Sequence, residues 1–251
     1  MSTPIRTDPP AIRPLPFRRA LPLFLLSALP FWIGIYLIVP WMSASGISAP
    51  IYLSVGILLP LALLLVAAVV SGDRAGAGLR QRLERWRLAR LDLRLAGWGL
   101  GLFALSAAAY FLLGGTSDWL IAAGVAPPPE FDRVANGREF WGMPLAGNGW
   151  LLLLHAGILL LNVGAEEIWF RGELLPRQEL AHGRHAWLIH GLSYHLFHMF
   201  YPWDVLRILP ESLAYGWVAQ RTRSTWPCLI GHLLFNSLGL IGTAAGIIAS
   251  G

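Results

Sequence analysis

The sequence predicts an all-α fold, a polytopic transmembrane helical bundle of seven or eight spans. Three observations point to it. Hydrophobic residues make up 55% of the 251-residue chain and charged residues only 13%, against roughly 25% charged in ordinary soluble domains. Apolar runs recur along the whole chain, most of them near the ~20 residues that cross a bilayer. The charges gather in short stretches between those runs, as they do in the inside loops of membrane proteins. A net charge of +5 alone would also suit nucleic acid. Its placement, and the absence from the sequence of any nucleic-acid module, point instead to the lipid bilayer as the partner of this surface.

Residues 1–19 are Pro-rich and basic and read as a disordered tail. Residues 20–251 then form a single transmembrane domain. Arg13, Arg18 and Arg19 precede a run from Ala20 to Trp41 that is too long for the apolar part of a signal peptide. It reads as a retained first span, with Pro22, Pro30 and Pro40 as sites of kinking. A second span follows at Ile51–Val70. The segment from Gly72 to Arg94 carries seven arginines against three acids, and Leu79, Leu83, Trp86 and Leu91 recur at roughly helical spacing. That pattern reads equally as a basic amphipathic helix on the membrane surface or as an ordinary inside loop.

The third span is Leu95–Leu113. Residues 114–147 are the longest non-apolar stretch, with three consecutive prolines at 127–129 and a short helix or re-entrant piece near Trp119–Val125. Four further spans follow: Asn148 to beyond Phe170, His185–Phe200, Val205–Ala219 and Trp226–Ile248. Gly239, Gly242 and Gly246 in the last span predict close helix packing. The basic segments are the N-terminus, 73–94, 177–184 and 221–223. An alternating path puts all four on the cytoplasmic side, the N-terminus included. This is the topology of a multi-pass cell-membrane protein with seven spans, or eight if the short helix near 119–125 counts. Cys228 is the only cysteine and reads as a small buried hydrophobe.

Ionisable groups at membrane depth are costly and need a reason. Three places carry them: Glu166, Glu167 and Arg171; His190, Tyr194, His195 and His198; His232 and Asn236. At a rise of about 1.5 Å per residue, Glu166, His198 and His232 lie roughly 15, 20 and 12 Å from the cytoplasmic ends of their spans. All three therefore fall near the middle of a hydrocarbon layer about 30 Å thick. Matching depth on three helices is what one buried site produces. Glu167 and Arg171 are four residues apart on one face and suit a salt bridge. Glu166 points about 100° away and is left to face another partner. Tyr194 pairs with His198, and His232 with Asn236, at the same spacing.

A carboxylate beside imidazoles in a low-dielectric cleft can take a proton from water and pass it on. A neutral histidine can orient that water or bind a metal. A His–Asn pair can donate to a developing oxyanion. Those roles together suit peptide hydrolysis. Midplane Glu and His also suit an ion-coupled transporter, and composition and spacing leave hydrolase and carrier both open.

Glu166-Glu167-x-x-x-Arg171-Gly172, Tyr194-x-x-x-His198 and His232-x-x-x-Asn236 resemble, in that order, three motifs of the CAAX-processing and bacteriocin-processing (CPBP, or Abi) intramembrane metalloproteases. The resemblance implies a CAAX-protease-like bundle with a cavity open to the cytoplasm and a peptidase-like motif region at 160–240. It implies an intramembrane metallo-endopeptidase, glutamate-dependent, acting on a membrane-associated protein or peptide. It makes Glu166 the general base, His198 its water-orienting partner, and His232 and Asn236 the oxyanion-stabilising pair. Arg171 and Tyr194 are supporting residues, and Glu167 assists. A divalent metal, zinc by the family's classification, would draw its ligands from Glu166, His198 and His232. Two features depart from the motifs. Tyr194 stands where the family usually has Phe, and His195 lies close enough to share the role of His198, which is preferred because it completes the spacing. A transporter, and a non-catalytic scaffold or immunity-type protein of the same fold, are the competing readings.

Overall fold

A computed structural model describes residues 12–71, 78–129 and 138–249. Nearly all of this is helix. Helix α1 is Phe17–Ala44 and α2 is Ile51–Ser71. The short α3, Leu79–Arg85, precedes α4, Leu93–Leu112. Helix α5 is Gly115–Ala122. Residues 150–182 form the continuous α6, then come α7, Ala186–Phe197, α8, Val205–Thr222, and α9, Trp226–Ala249. Between α5 and α6 lies a hairpin of β1, Glu139–Phe140, and β2, Met143–Pro144, paired Glu139 with Pro144 and Phe140 with Met143. Its two turn residues, Trp141 and Gly142, have φ of 51° and 74°, the positive pair a tight hairpin requires.

Five helical stretches are long and apolar enough to cross a membrane: Phe17–Ala44, Ile51–Ser71, Leu93–Leu112, Trp150–Phe200 and Trp226–Ala249. The fourth has 51 residues, about 77 Å if straight, more than twice the hydrocarbon thickness. It breaks at Gly183 (φ 55°) into α6 and α7. The sixth expected span, Val205–Ala219, is a helix but is not among the five. Arg207, Glu211 and Arg221 make α8 more polar than its neighbours.

The basic tail expected at 1–19 differs at its inner end. Residues 1–11 lie outside the described residues. Leu15 is buried and its N–H donates to Arg177 O at 2.9 Å, and Phe17 already starts α1. The amphipathic-helix reading of 73–94 also changes. Residues 72–77 lie outside the described residues, and helix persists only over Leu79–Arg85. Leu79 and Leu91 are exposed, whereas Trp86 and Leu88 are buried in a non-helical strap that turns at Arg87 (φ 59°). Tertiary ion pairs explain the change. Arg85 pairs with Glu173, and Arg87 with Glu179 at 2.8 Å, both carboxylates on α6. Arg223 also reaches Glu179. The strap meets the start of α9 as well: Thr225 Oγ1 donates to Trp86 O at 2.7 Å and Trp226 Nε1 to Leu88 O at 3.0 Å.

Among the described residues the tightest helix approaches lie at other glycines than Gly239 and Gly242; a Cβ on Gly239 would meet His155 only at ordinary contact distance, 3.6 Å. Nothing lies within 4 Å of a Cβ built on Gly242, whereas one on Gly191 would meet the α8 backbone at 2.9 Å and one on Gly231 the Leu102 side chain at 2.8 Å. A Cβ on Gly34 would collide with the carbonyl oxygen of Gly56. That contact joins two π-helical turns, Gly34–Ile38 in α1 and Ser54–Leu58 in α2. An aromatic core locks α1, α6 and α7 together: Phe24 stacks on Phe170 (5.0 Å between centroids), Phe31 on Phe200 (4.9 Å), and Phe170 meets the Tyr194 ring edge-on (5.0 Å). This core positions the polar residues.

Candidate active site

Glu166 closes the regular part of α6, and a π-helical stretch, Glu167–Leu174, begins directly after it. Wide turns of this kind are frequent at functional sites, although those in α1 and α2 serve packing. Glu167 and Arg171 are both fully buried and joined at 3.2 Å. The same Glu167 oxygen meets His232 Nδ1 of α9 at 2.9 Å. Since a carboxylate only accepts, Nδ1 carries the proton and Nε2 is left for the cleft. The Arg171 guanidinium lies over the Tyr194 ring, 3.7 Å from its centroid. A buried charge needs such partners. Glu167 therefore ties α6 to α9, and Arg171 ties α6 to α7.

Glu166 faces the other way. Its Oε2 accepts from the Tyr194 hydroxyl at 2.6 Å and lies 3.7 Å from His198 Nε2. Its Oε1 accepts from the Asn162 amide at 2.7 Å. His198 sits at the end of α7, with Nδ1 3.1 Å from the Tyr194 carbonyl. A carbonyl oxygen requires Nδ1–H, so in the neutral ring Nε2 is an acceptor. Two acceptors, Glu166 Oε2 and His198 Nε2, thus face one another. Asn236 Nδ2 donates to Asn162 Oδ1 at 3.0 Å.

The candidate residues of all three motifs are thereby linked across α6, α7 and α9. Glu167 and Arg171 lie beneath, closed off, whereas Asn162, His198 and Asn236 are only half-buried and form the accessible side. The other histidines fall elsewhere. His190 is buried with Nδ1 2.6 Å from Gln178 Oε1, and its ring meets Phe24 edge-on. His195 Nδ1 is buried with no hydrogen-bond partner among the described residues. Cys228 is buried, its Sγ 3.4 Å from Tyr215 O. No three His, Cys, Asp or Glu side chains are grouped so as to hold a metal ion among the described residues. Glu166, His198 and His232, the expected ligand set, are not such a group; His232 meets Glu167 through Nδ1 and keeps Nε2 toward the cleft.

Residues 148–238 match the family model described as type II CAAX prenyl endopeptidase Rce1-like. This segment is Rce1-like. It covers a little over a third of the chain, runs from just before α6 into α9, and contains every candidate residue named above. The match favours an intramembrane peptidase over a carrier or a scaffold. No curated protein and no solved structure matches the chain.

Two polar residues of the Rce1-like segment escaped sequence reasoning. Asn162 precedes Glu166 by four residues, the spacing that marked the other pairs, but a single amide among leucines carries no charge to draw notice. Glu211 of α8 lies near Ser106, His232 and Arg171. In the sequence it is a single carboxylate within the span Val205–Ala219, with no motif spacing to mark it.

Proposed function

We propose that the chain hydrolyses a peptide bond of a membrane-associated protein or peptide, with Glu166 as general base. One observation carries the reading: Glu166 Oε2 and the acceptor nitrogen of His198 face one another at 3.7 Å, with His198 partly exposed beside a buried ion-pair network. Two acceptors at that spacing suit one shared donor, and the donor a hydrolase needs is water. Glu166 takes a proton as the water oxygen adds to the scissile carbonyl carbon. The carbonyl oxygen becomes an oxyanion, and Asn236 and His232 are the donors on the α9 side. Asn236 uses one N–H on Asn162 and has a second to give. For His232 to donate through Nε2, both ring nitrogens must carry protons. The C–N bond then breaks, and the proton held by Glu166 passes to the leaving amine.

A metal would supply Lewis-acid polarisation of the carbonyl or water. Among the described residues no three His, Cys, Asp or Glu side chains are grouped to hold one, and no step above runs through it. Arg171 and Glu167 support the site by fixing α7 and α9 around α6. The positive-inside bias favours a seven-span path with the N-terminus in the cytoplasm. That path needs α7 and α8 as spans beyond the five apolar stretches, with α6 and α7 crossing separately. Prenylated substrates are those named for the matched family, and a prenylated C-terminal peptide belongs in the first substrate panel.

The test compares purified wild type with Glu166→Ala and His232→Ala in detergent, against a peptide library that includes prenylated peptides. Both variants should lose cleavage. Equal cleavage by all three proteins would overturn the assignment, and elemental analysis of the same samples decides whether an ion is bound.

A further inference from the structure

Glu166 is central to the proposed chemistry, so what orients its carboxylate matters. Asn162 lies one turn earlier on α6. Its amide nitrogen donates to Glu166 Oε1 at 2.7 Å, and its amide oxygen accepts from Asn236 Nδ2 at 3.0 Å. Chemistry fixes the direction of both bonds. An ionised carboxylate only accepts, so the Asn162 nitrogen must face it. The Asn162 oxygen then faces α9, and Asn236 must present its nitrogen. The result is a one-way chain from Asn236 through Asn162 to Glu166. Tyr194 holds the other oxygen at 2.6 Å, so the carboxylate is gripped on both sides, with Oε2 kept toward His198.

A bystander amide gives a weaker account. Asparagine is a poor helix former and is costly within an apolar span, and a leucine like its neighbours would serve the helix better. Both polar ends of Asn162 are engaged, each with a candidate active-site residue and one of them on a different helix. The half-buried setting of Asn162 and Asn236 puts the chain on the accessible side of the site, not in the packed core.

We infer that Asn162 is a positioning residue for Glu166, and that Asn236 acts on the base through it as well as at the reacting carbonyl. The inference rests on the peptidase reading above. It predicts that Asn162→Leu lowers kcat about 10- to 100-fold, the range for losing a hydrogen bond to a charged group, with KM little changed. It also predicts that Asn236→Ala adds less in the Asn162→Leu background than in wild type, because the two residues act in series. Additive losses, or a change in KM alone, would overturn it.

A second readout needs no substrate. The Glu166 carboxylate stretch can be assigned by infrared difference against Glu166→Ala. It should shift in Asn162→Leu, and also in Asn236→Ala, which reaches Glu166 through Asn162. A band unmoved in both overturns the inference even if no peptide in the library is cleaved. Failure of the peptidase reading has a different signature, a shifted band with no cleavage or cleavage that survives Glu166→Ala. If Asn162→Leu does not fold, the Asn236→Ala band decides the matter.

Discussion

The hydroxyl of Tyr194 donates to Glu166 Oε2 at 2.6 Å while the ring of the same tyrosine lies under the Arg171 guanidinium, 3.7 Å from its centroid. One side chain thus serves two elements of the site by two different interactions. Tyr194→Phe separates them. The ring contact stays and the hydroxyl is lost, so the fold should persist with a melting temperature within a few degrees of wild type. Cleavage should fall roughly tenfold, as one hydrogen bond to a charged group is removed. Activity equal to wild type would show that the hydroxyl only fills space.

Glu167 and Arg171 form a fully buried pair. Removing one partner of such a pair leaves an uncompensated charge, which costs about 3–5 kcal/mol. Arg171→Ala should therefore lower the melting temperature in detergent sharply. Arg171→Met combined with Glu167→Gln should cost less, although it removes more charge, because nothing is left unpaired. A double variant less stable than Arg171→Ala would refute this account.

The strap around Trp86 is held by Glu179, whose carboxylate meets both Arg87 and Arg223. Glu179→Ala removes both ion pairs together. The expected outcome is faster tryptic cleavage between Arg85 and Arg94, with loss of the packing of Trp86 against Gly172, where a built Cβ would lie 3.1 Å away. Unchanged cleavage kinetics would mean that the backbone bonds to Thr225 and Trp226 suffice.

Orientation is open to labelling. Ser45 lies in the turn after α1, and Arg184 in the turn between α6 and α7, and both are exposed. With a cytoplasmic N-terminus, Ser45→Cys reacts with an impermeant thiol reagent in intact cells. Arg184→Cys should react only after permeabilisation. Cys228 is fully buried and should give little background. The reverse pattern would invert the topology.

Much of the bundle was legible because the bilayer imposes a length on each apolar run. The pairing of Glu167 with Arg171 was legible for a similar reason, since a buried charge must be matched nearby in the helix, but not their further contacts with His232 and Tyr194 on other helices. The failures occur where distant residues overrule local pattern. Leucine spacing from 79 to 91 continues the helix on paper, but Glu173 and Glu179, some ninety residues later, draw Arg85 and Arg87 into a strap. The wide turn at Glu167–Leu174 has no signature in residue type. Asn162 kept the right spacing but became informative only once Asn236 was seen to reach it from another helix. Arg207 and Glu211 are plain in the sequence, but the pairing of Arg207 with Asp204 and the nearness of Glu211 to His232 depend on how α8 packs.

The bond from His232 to Glu167 joins residues 65 positions apart. During synthesis, α6 is made first, and α9 must follow α7 and α8. Glu167 and Arg171 therefore spend that interval with each other as ready partners, while the imidazole that completes their network is still unborn. Arrival of α9 brings His232 and Asn236 in one stroke, so the last helix both closes the structure and supplies its third motif. On the proposed mechanism, a nascent chain stalled before α9 would hold Glu166 in place but lack both donors for the oxyanion.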